Sequence, residues 1–114
     1  MPPPGLKLAL DEIYALKGDV GIRELAGCAG WTKQWLSTVF KRWIGAAPQV
    51  VRDHVKFNSA LKELEAGVKP VSVAQDTGYF DQSHLNRSFK KHTGVTPAGA
   101  FKFRRYRKTI PLQY

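Results

Sequence analysis

Apolar residues recur along the chain at the three- and four-residue spacing of helices that bury one face. The first segment with this pattern contains Leu6, Ala9, Leu10, Ile13 and Leu16. Gly18 follows it, and a glycine after the last apolar position is a typical helix stop. A second, shorter helix is predicted over residues 22–28, with Leu25 and Ala26 on its inward face. The chain is therefore expected to begin with two helices of unequal length.

Capping residues, glycines and prolines divide the middle of the chain into two further helical segments. Thr32 is a predicted N-cap for a third helix that runs to about Ile44, where Gly45 ends it. Pro48 suits the first turn of a fourth helix, which Gly67 ends after roughly 28 Å. A helix of this length is predicted to join two parts of the protein.

The last part of the chain continues the same helical pattern. A short helix is predicted over residues 71–77, and a longer one is predicted from its cap at Asp81 to about Thr93. Pro97 is predicted to open a last helix that runs to about Phe103. No segment alternates between apolar and polar residues over a sustained stretch, as a half-buried strand would. We therefore expect an all-α protein with about seven helices.

The second half of the chain repeats the first. The shared residues are Gly30-Trp31, Leu36, Phe40, Gly45 and Pro48 in the first copy and Gly78-Tyr79, Leu85, Phe89, Gly94 and Pro97 in the second. The offset is 48 residues for the glycine and the aromatic residue after it and 49 from Leu36 onwards, so the second copy has one extra residue just past its glycine. Each copy has a small residue in a first helix, a glycine in the turn and apolar residues in a second helix. This spacing is typical of a DNA-binding helix-turn-helix.

The repeat predicts how the chain is organised. The chain is predicted to comprise a leader or linker remnant (residues 1–5), a first helix-turn-helix subdomain (6–47), a long linker helix (48–66), a second helix-turn-helix subdomain (67–103) and a basic tail (104–114). Two such subdomains on one chain predict a protein that reads two nearby stretches of duplex.

The second helix of each pair has an inward and an outward face. The inward residues are Leu36, Val39, Phe40 and Trp43 in the first copy and Leu85, Ser88 and Phe89 in the second. The outward residues are Lys33, Gln34, Ser37, Thr38 and Lys41 in the first copy and Gln82, Ser83, Asn86, Arg87 and Lys90 in the second. Glutamine, asparagine and arginine can form paired hydrogen bonds with base edges in the major groove, whereas lysine suits phosphates. We therefore predict that both outward faces contact DNA.

Charge and composition support a polyanionic partner and argue against catalysis. The formal net charge of +9 favours nucleic acid, with an anionic membrane surface as the next candidate. Cys28 has no second cysteine to pair with, which fits the cytoplasm, and it is predicted to be a small core residue. His54, His84 and His92 are scattered without metal-ligand spacing. No apolar run approaches the roughly 20 residues of a membrane span. We expect no enzymatic activity, no metal and no cofactor.

One stretch carries a family resemblance. Residues 78–97, GYFDQSHLNRSFKKHTGVTP, closely resemble the signature of AraC/XylS-type transcriptional regulators, and the resemblance extends over about residues 18–103. It implies seven helices in two helix-turn-helix subdomains, with both recognition helices in successive major-groove segments on one face of the DNA. It also implies transcriptional regulation through RNA polymerase. By position, it implies base-facing roles for Gln34, Ser37 and Thr38 and for Gln82, Ser83, Asn86 and Arg87. The family usually has arginine where this chain has Lys56 and Lys102, and lysine lacks the planar fork of arginine.

Several alternatives stay open at this point. The outward faces either contact DNA or are ordinary solvated helix surfaces, and the alternative function is a non-specific nucleic-acid or protein-interaction module. Trp35 either packs half-buried or offers a stacking platform, and His84 either touches a phosphate or packs against the linker helix. The chain is either a standalone regulator or the DNA-binding end of a longer, effector-binding protein. We expect it to bind duplex DNA as a monomer, because one chain supplies two recognition helices.

Overall fold

A computed structural model describes residues 1–97 of the chain. Helices are the only regular secondary structure in this range, which confirms the predicted all-α class. The six helices are α1 (Pro4–Ala15), α2 (Ile22–Ala29), α3 (Lys33–Trp43), α4 (Pro48–Glu65), α5 (Pro70–Asp76) and α6 (Gln82–Thr93). The predicted last helix, apart from Pro97, and the predicted basic tail lie outside the described residues.

The chain divides into two compact units. The first comprises Met1–Ser59, and the second begins at Ala60, so the division falls inside α4 rather than at either of its ends. The first unit therefore holds α1, α2, α3 and most of α4, and the second holds the last turns of α4 with α5 and α6. Each unit contains one of the two predicted helix-turn-helix pairs.

The core of the first unit is built from three helices. Its buried residues are Leu6, Ala9 and Ile13 of α1, Leu25 and Ala26 of α2, and Leu36, Val39 and Phe40 of α3. Val51 and Val55 of α4 pack against this cluster and are themselves partly buried. Full burial of a large apolar side chain stabilises a protein by about 1.5–3 kcal/mol. This core therefore fixes α3 on its apolar side and leaves the opposite side for other contacts.

The second unit buries a smaller set of apolar side chains. These are Ala60, Leu61 and Leu64 at the end of α4, Val73 and Ala74 of α5, Tyr79 in the turn, and Leu85 and Phe89 of α6. Helices α5 and α6 pack against each other. Leu85 and Phe89 occupy the positions that Leu36 and Phe40 occupy in the first unit, as the repeat predicts.

Some residues of the predicted inward faces are exposed, and Cys28 and Trp43 lie outside the core for different reasons. Cys28 is exposed, because it lies to one side of the α2 stripe that faces the core. Trp43 is 44 % exposed although its spacing from Phe40 is that of the inward face. It occupies the last turn of α3, where it lines an apolar groove together with the N-terminal segment Met1–Pro4. The core therefore ends one turn before the helix does.

The N-caps of the two longer helices in the pairs are those that the sequence predicts. Thr32 Oγ1 accepts a hydrogen bond from the backbone N–H of Trp35 at 3.1 Å, and Asp81 Oδ1 accepts one from the N–H of His84 at 2.8 Å. Each cap satisfies a backbone donor that has no partner within its helix.

Removing the Thr32 cap is expected to destabilise the first unit. Thr32→Ala should lower the free energy of unfolding by about 1 kcal/mol, because the Trp35 N–H loses its acceptor. Urea titration followed by circular dichroism measures the change. Thr32→Ser is the control, since it keeps the hydroxyl oxygen and should stay close to the parent protein. Equal losses in the two variants would show that the threonine methyl group, not the cap, is responsible.

Candidate nucleic-acid interface

Two helix-turn-helix pairs are present, one in each unit. In the first, α2 ends at Ala29, Gly30 follows with a φ of 75° in the left-handed region, and α3 begins at Lys33. In the second, α5 ends at Asp76, Gly78 has a φ of 83°, and α6 begins at Gln82. The turn glycines therefore have the same backbone conformation in both pairs, as the repeat predicts.

The predicted outward face of α3 lies opposite its buried face. Lys33, Gln34, Thr38 and Lys41 are exposed, whereas Ser37 is half-buried. Gln34 and Ser37 line a shallow depression of about 290 Å³, together with residues at the starts of α2 and α4. The Thr38 hydroxyl donates to the Gln34 carbonyl oxygen at 3.0 Å, within the helix. Thr38 is thereby left with acceptor capacity for a partner.

The predicted outward face of α6 has the same arrangement. Gln82, Ser83, Arg87 and Lys90 are exposed and Asn86 is half-buried, while Leu85 and Phe89 on the opposite side are fully buried. This face carries the more versatile hydrogen-bonding groups, because Gln82, Asn86 and Arg87 can each form two hydrogen bonds with a base edge.

A set of contacts that the sequence did not predict fixes the start of α6. Tyr79 is buried, and its hydroxyl lies 3.0 Å from Oγ of Ser88, a half-buried residue of α6. The rings of Tyr79 and His84 meet edge to face, with centroids 5.2 Å apart. His84 Nδ1 also accepts from the N–H of Phe80 at 3.4 Å. His84 therefore packs against the turn, a partner that its sequence position did not suggest.

The lysines at the ends of the recognition helices also have a local role. Lys41 and Arg42 lie in the last turn of α3, and Lys90, Lys91 and His92 lie in the last turn of α6. Cationic side chains there interact favourably with the helix dipole. Lys41 and Lys90 also belong to the outward faces, so the charge that stabilises each helix end is available to a DNA phosphate as well.

Residues 1–97 hold neither a candidate metal site nor a candidate membrane span. No group of three or more histidine, cysteine or acidic residues within residues 1–97 could hold a metal ion. None of the helices in that range has the length and hydropathy that a membrane span requires. The pKa of the Cys28 thiol is raised above its ordinary value. The causes are desolvation, the hydrogen bond that the thiol donates to the Glu12 carboxylate, and the negative charges of Glu12 and Asp11. The thiol is thereby kept protonated and less nucleophilic.

Comparison with solved structures finds the same fold. The chain is similar to the DNA-binding domain of the global transcriptional factor AdpA, solved in complex with a target DNA, with a TM-score of 0.82, 19 % identity and coverage of 97 % of this chain and 100 % of that one. It is also similar to an AraC-type transcriptional regulator from Chromobacterium violaceum, with a TM-score of 0.76, 20 % identity and coverage of 95 % of each chain.

Sequence comparison gives the family. The chain is 38 % identical over 76 residues to an uncharacterised HTH-type transcriptional regulator of Bacillus subtilis (strain 168), YbfI. The match covers 67 % of this chain and 27 % of YbfI, so the chain spans about a quarter of the relative's length. The sequence model of a family described as a helix-turn-helix domain matches residues 25–110. The chain belongs to the AraC-type helix-turn-helix family.

Proposed function

We propose that this chain binds double-stranded DNA sequence-specifically and acts in transcriptional regulation, with α3 and α6 as its recognition helices. The observation that carries the proposal is the equivalence of the two outward faces. Both present polar and basic residues at positions 49 apart, and both lie opposite a fully buried apolar pair. Exposure to solvent alone does not require the second helices of both helix-turn-helix pairs to carry polar and basic residues at equivalent positions.

The residues of the two faces have different roles in the proposed complex. Gln82, Asn86 and Arg87 read base edges through paired hydrogen bonds. Lys41 and Lys90 contact phosphates and set the position of the helices along the groove. Gln34, Ser37 and Thr38 form the reading surface of α3. Because the two faces differ in residue type, the target is expected to be asymmetric.

The proposed complex needs only one chain, with its two reading helices in successive major-groove segments about 34 Å apart. The described AdpA complex is a structural neighbour that binds a target DNA, and YbfI is described as a transcriptional regulator. By analogy, we extend the proposal to RNA polymerase as a further partner and to the cytoplasm as the place of action. We assign no catalytic activity to the chain.

The test is the selection of bound duplexes from a random DNA pool. We expect an asymmetric motif with two blocks about ten base pairs apart. If binding instead yields no motif and only weakens as salt rises, the surface is a general polyanion site. The chain would then be a module that binds nucleic acid or acidic proteins non-specifically through its net positive charge.

Arg87 provides the sharpest variant for this selection. Arg87→Ala should relax one block of the motif and reduce discrimination there by about 1–3 kcal/mol, since paired hydrogen bonds to a base are lost. Arg87→Lys keeps the positive charge but not the planar fork. A base-reading role predicts that both variants relax the block, whereas a phosphate-contacting role predicts that the lysine variant behaves like the parent. Competition binding against single-base variants of the motif measures the difference.

A further inference from the structure

The two helix-turn-helix pairs differ by one residue in the turn, and the structure identifies that residue as Phe80. The first turn runs from Gly30 through Trp31 to the cap Thr32, whereas the second runs from Gly78 through Tyr79 and Phe80 to the cap Asp81. Phe80 is 91 % exposed, the highest exposed fraction after Met1 among the large apolar side chains of residues 1–97. The extra residue of the second copy is therefore a phenylalanine that the described part of the chain leaves almost fully exposed.

The backbone around Phe80 is held on both sides. On one side, Tyr79 is buried and its hydroxyl lies 3.0 Å from Ser88 Oγ. On the other, Asp81 Oδ1 accepts from the His84 N–H at 2.8 Å. Phe80 itself donates its backbone N–H to His84 Nδ1 at 3.4 Å. These contacts fix the point from which the aromatic ring projects, so that little backbone conformational entropy is lost when the ring meets a partner.

The position of Phe80 in the chain indicates the kind of partner that its ring contacts. A single exposed apolar side chain is common on protein surfaces and carries no meaning by itself. Phe80, however, directly precedes the cap of α6 and lies two residues before Gln82, the first residue of the proposed reading face. In helix-turn-helix proteins the N-terminal end of the recognition helix meets the base edges. The main apolar group on the floor of the major groove is the 5-methyl of thymine, and phenylalanine is among the side chains that contact it.

We infer that Phe80 packs against the 5-methyl group of a thymine at the edge of the block read by α6. The inference rests on the proposed function and adds an apolar element to a reading face that is otherwise polar and basic. It has no counterpart in the first helix-turn-helix pair, because the first turn lacks the inserted residue. The α6 block of the target is therefore expected to contain a thymine that is recognised by its methyl group.

The test replaces single thymines of the selected duplex with deoxyuridine, which removes only the methyl group. At one position in the α6 block, deoxyuridine should weaken binding of the parent protein about fourfold, the value of one buried methyl-sized group. Phe80→Ala should weaken binding to the thymine duplex by at least as much and should then be indifferent to deoxyuridine at that position. Val95→Ala is the matched control, since Val95 is an exposed apolar residue beyond the other end of α6. It should bind as the parent does and keep the full response to deoxyuridine.

The outcomes separate the inference from the proposed function. If Phe80→Ala binds like the parent while Arg87→Ala loses discrimination, Phe80 does not contact DNA and the proposed function stands. If Phe80→Ala binds more weakly but still responds fully to every deoxyuridine, the thymine methyl is not its partner and the inference is wrong. If the parent selects no motif at all, the proposed function fails first.

Discussion

Phe89→Ala is expected to lower the free energy of unfolding by about 3–5 kcal/mol, the cost of removing a large aromatic side chain from a packed core. Phe89 is fully buried beneath the outward face of α6. The total free energy of unfolding of a protein of this size is about 5–15 kcal/mol, so the variant loses a large fraction of its stability. Thermal and urea unfolding, followed by circular dichroism, measure the loss. DNA binding should fall with it, because Asn86, Arg87 and Lys90 lose the support of their helix.

The same substitution at Phe80 is the matched control. Phe80→Ala removes the same atoms from the same unit, but from a side chain that is 91 % exposed. Surface changes of this kind usually alter stability by less than about 0.5 kcal/mol. If both variants lost several kcal/mol, Phe80 would be part of the packing of the second unit, contrary to its observed exposure. The pair therefore also checks that any effect of Phe80→Ala on DNA binding does not come from unfolding.

The helices could be predicted from the sequence because their signals are local. Thr32 and Asp81 act as N-caps within three residues of the groups they satisfy, and Pro48 opens α4 as its fixed φ favours. The core positions Leu36, Phe40, Leu85 and Phe89 follow from helical spacing, which the structure confirms. For such residues, tertiary packing and local pattern agree.

The burial of Trp43 and Cys28 could not be predicted correctly, because it depends on which other parts of the chain pack beside them. Helical spacing puts Trp43 on the inward face of α3, but spacing does not say where the neighbouring helices end. Cys28 has a residue type that is usually buried, yet it lies off the buried stripe of a helix only eight residues long. In both cases the residue type or spacing favours burial, but no neighbouring helix packs over the side chain closely enough to bury it.

The candidate site was only partly accessible to sequence analysis, for a similar reason. The outward faces follow from helical geometry, and the residues predicted for them are exposed or half-buried. The contacts of Tyr79 with His84 and Ser88 join residues five and nine positions apart, and the repeat does not indicate them. The repeat did indicate an extra residue, but only the structure shows that Phe80 is left uncovered.

Gly18→Ala is expected to destabilise the first unit by about 2–5 kcal/mol, through two effects that add. Gly18 has a φ of 80°, and a left-handed conformation costs an L-residue roughly 1–2 kcal/mol. A Cβ at this position would also lie 2.5 Å from the Arg52 carbonyl oxygen and 2.6 Å from the Lys56 nitrogen. These are backbone atoms of α4, which cannot move aside as a flexible side chain can. The sequence identified Gly18 only as a helix stop, whereas the structure shows that it also lets α4 approach.

Gly45→Ala separates the two effects. Gly45 has a similar φ of 88°, but a Cβ there would meet no atom within 4 Å. This variant should therefore show only the conformational cost of about 1–2 kcal/mol, which leaves a difference of about 1–3 kcal/mol due to crowding against α4. Urea unfolding of the two variants under one set of conditions measures that difference. Equal losses would mean that α4 shifts without cost, and that its close approach to Gly18 contributes nothing to the stability of the first unit.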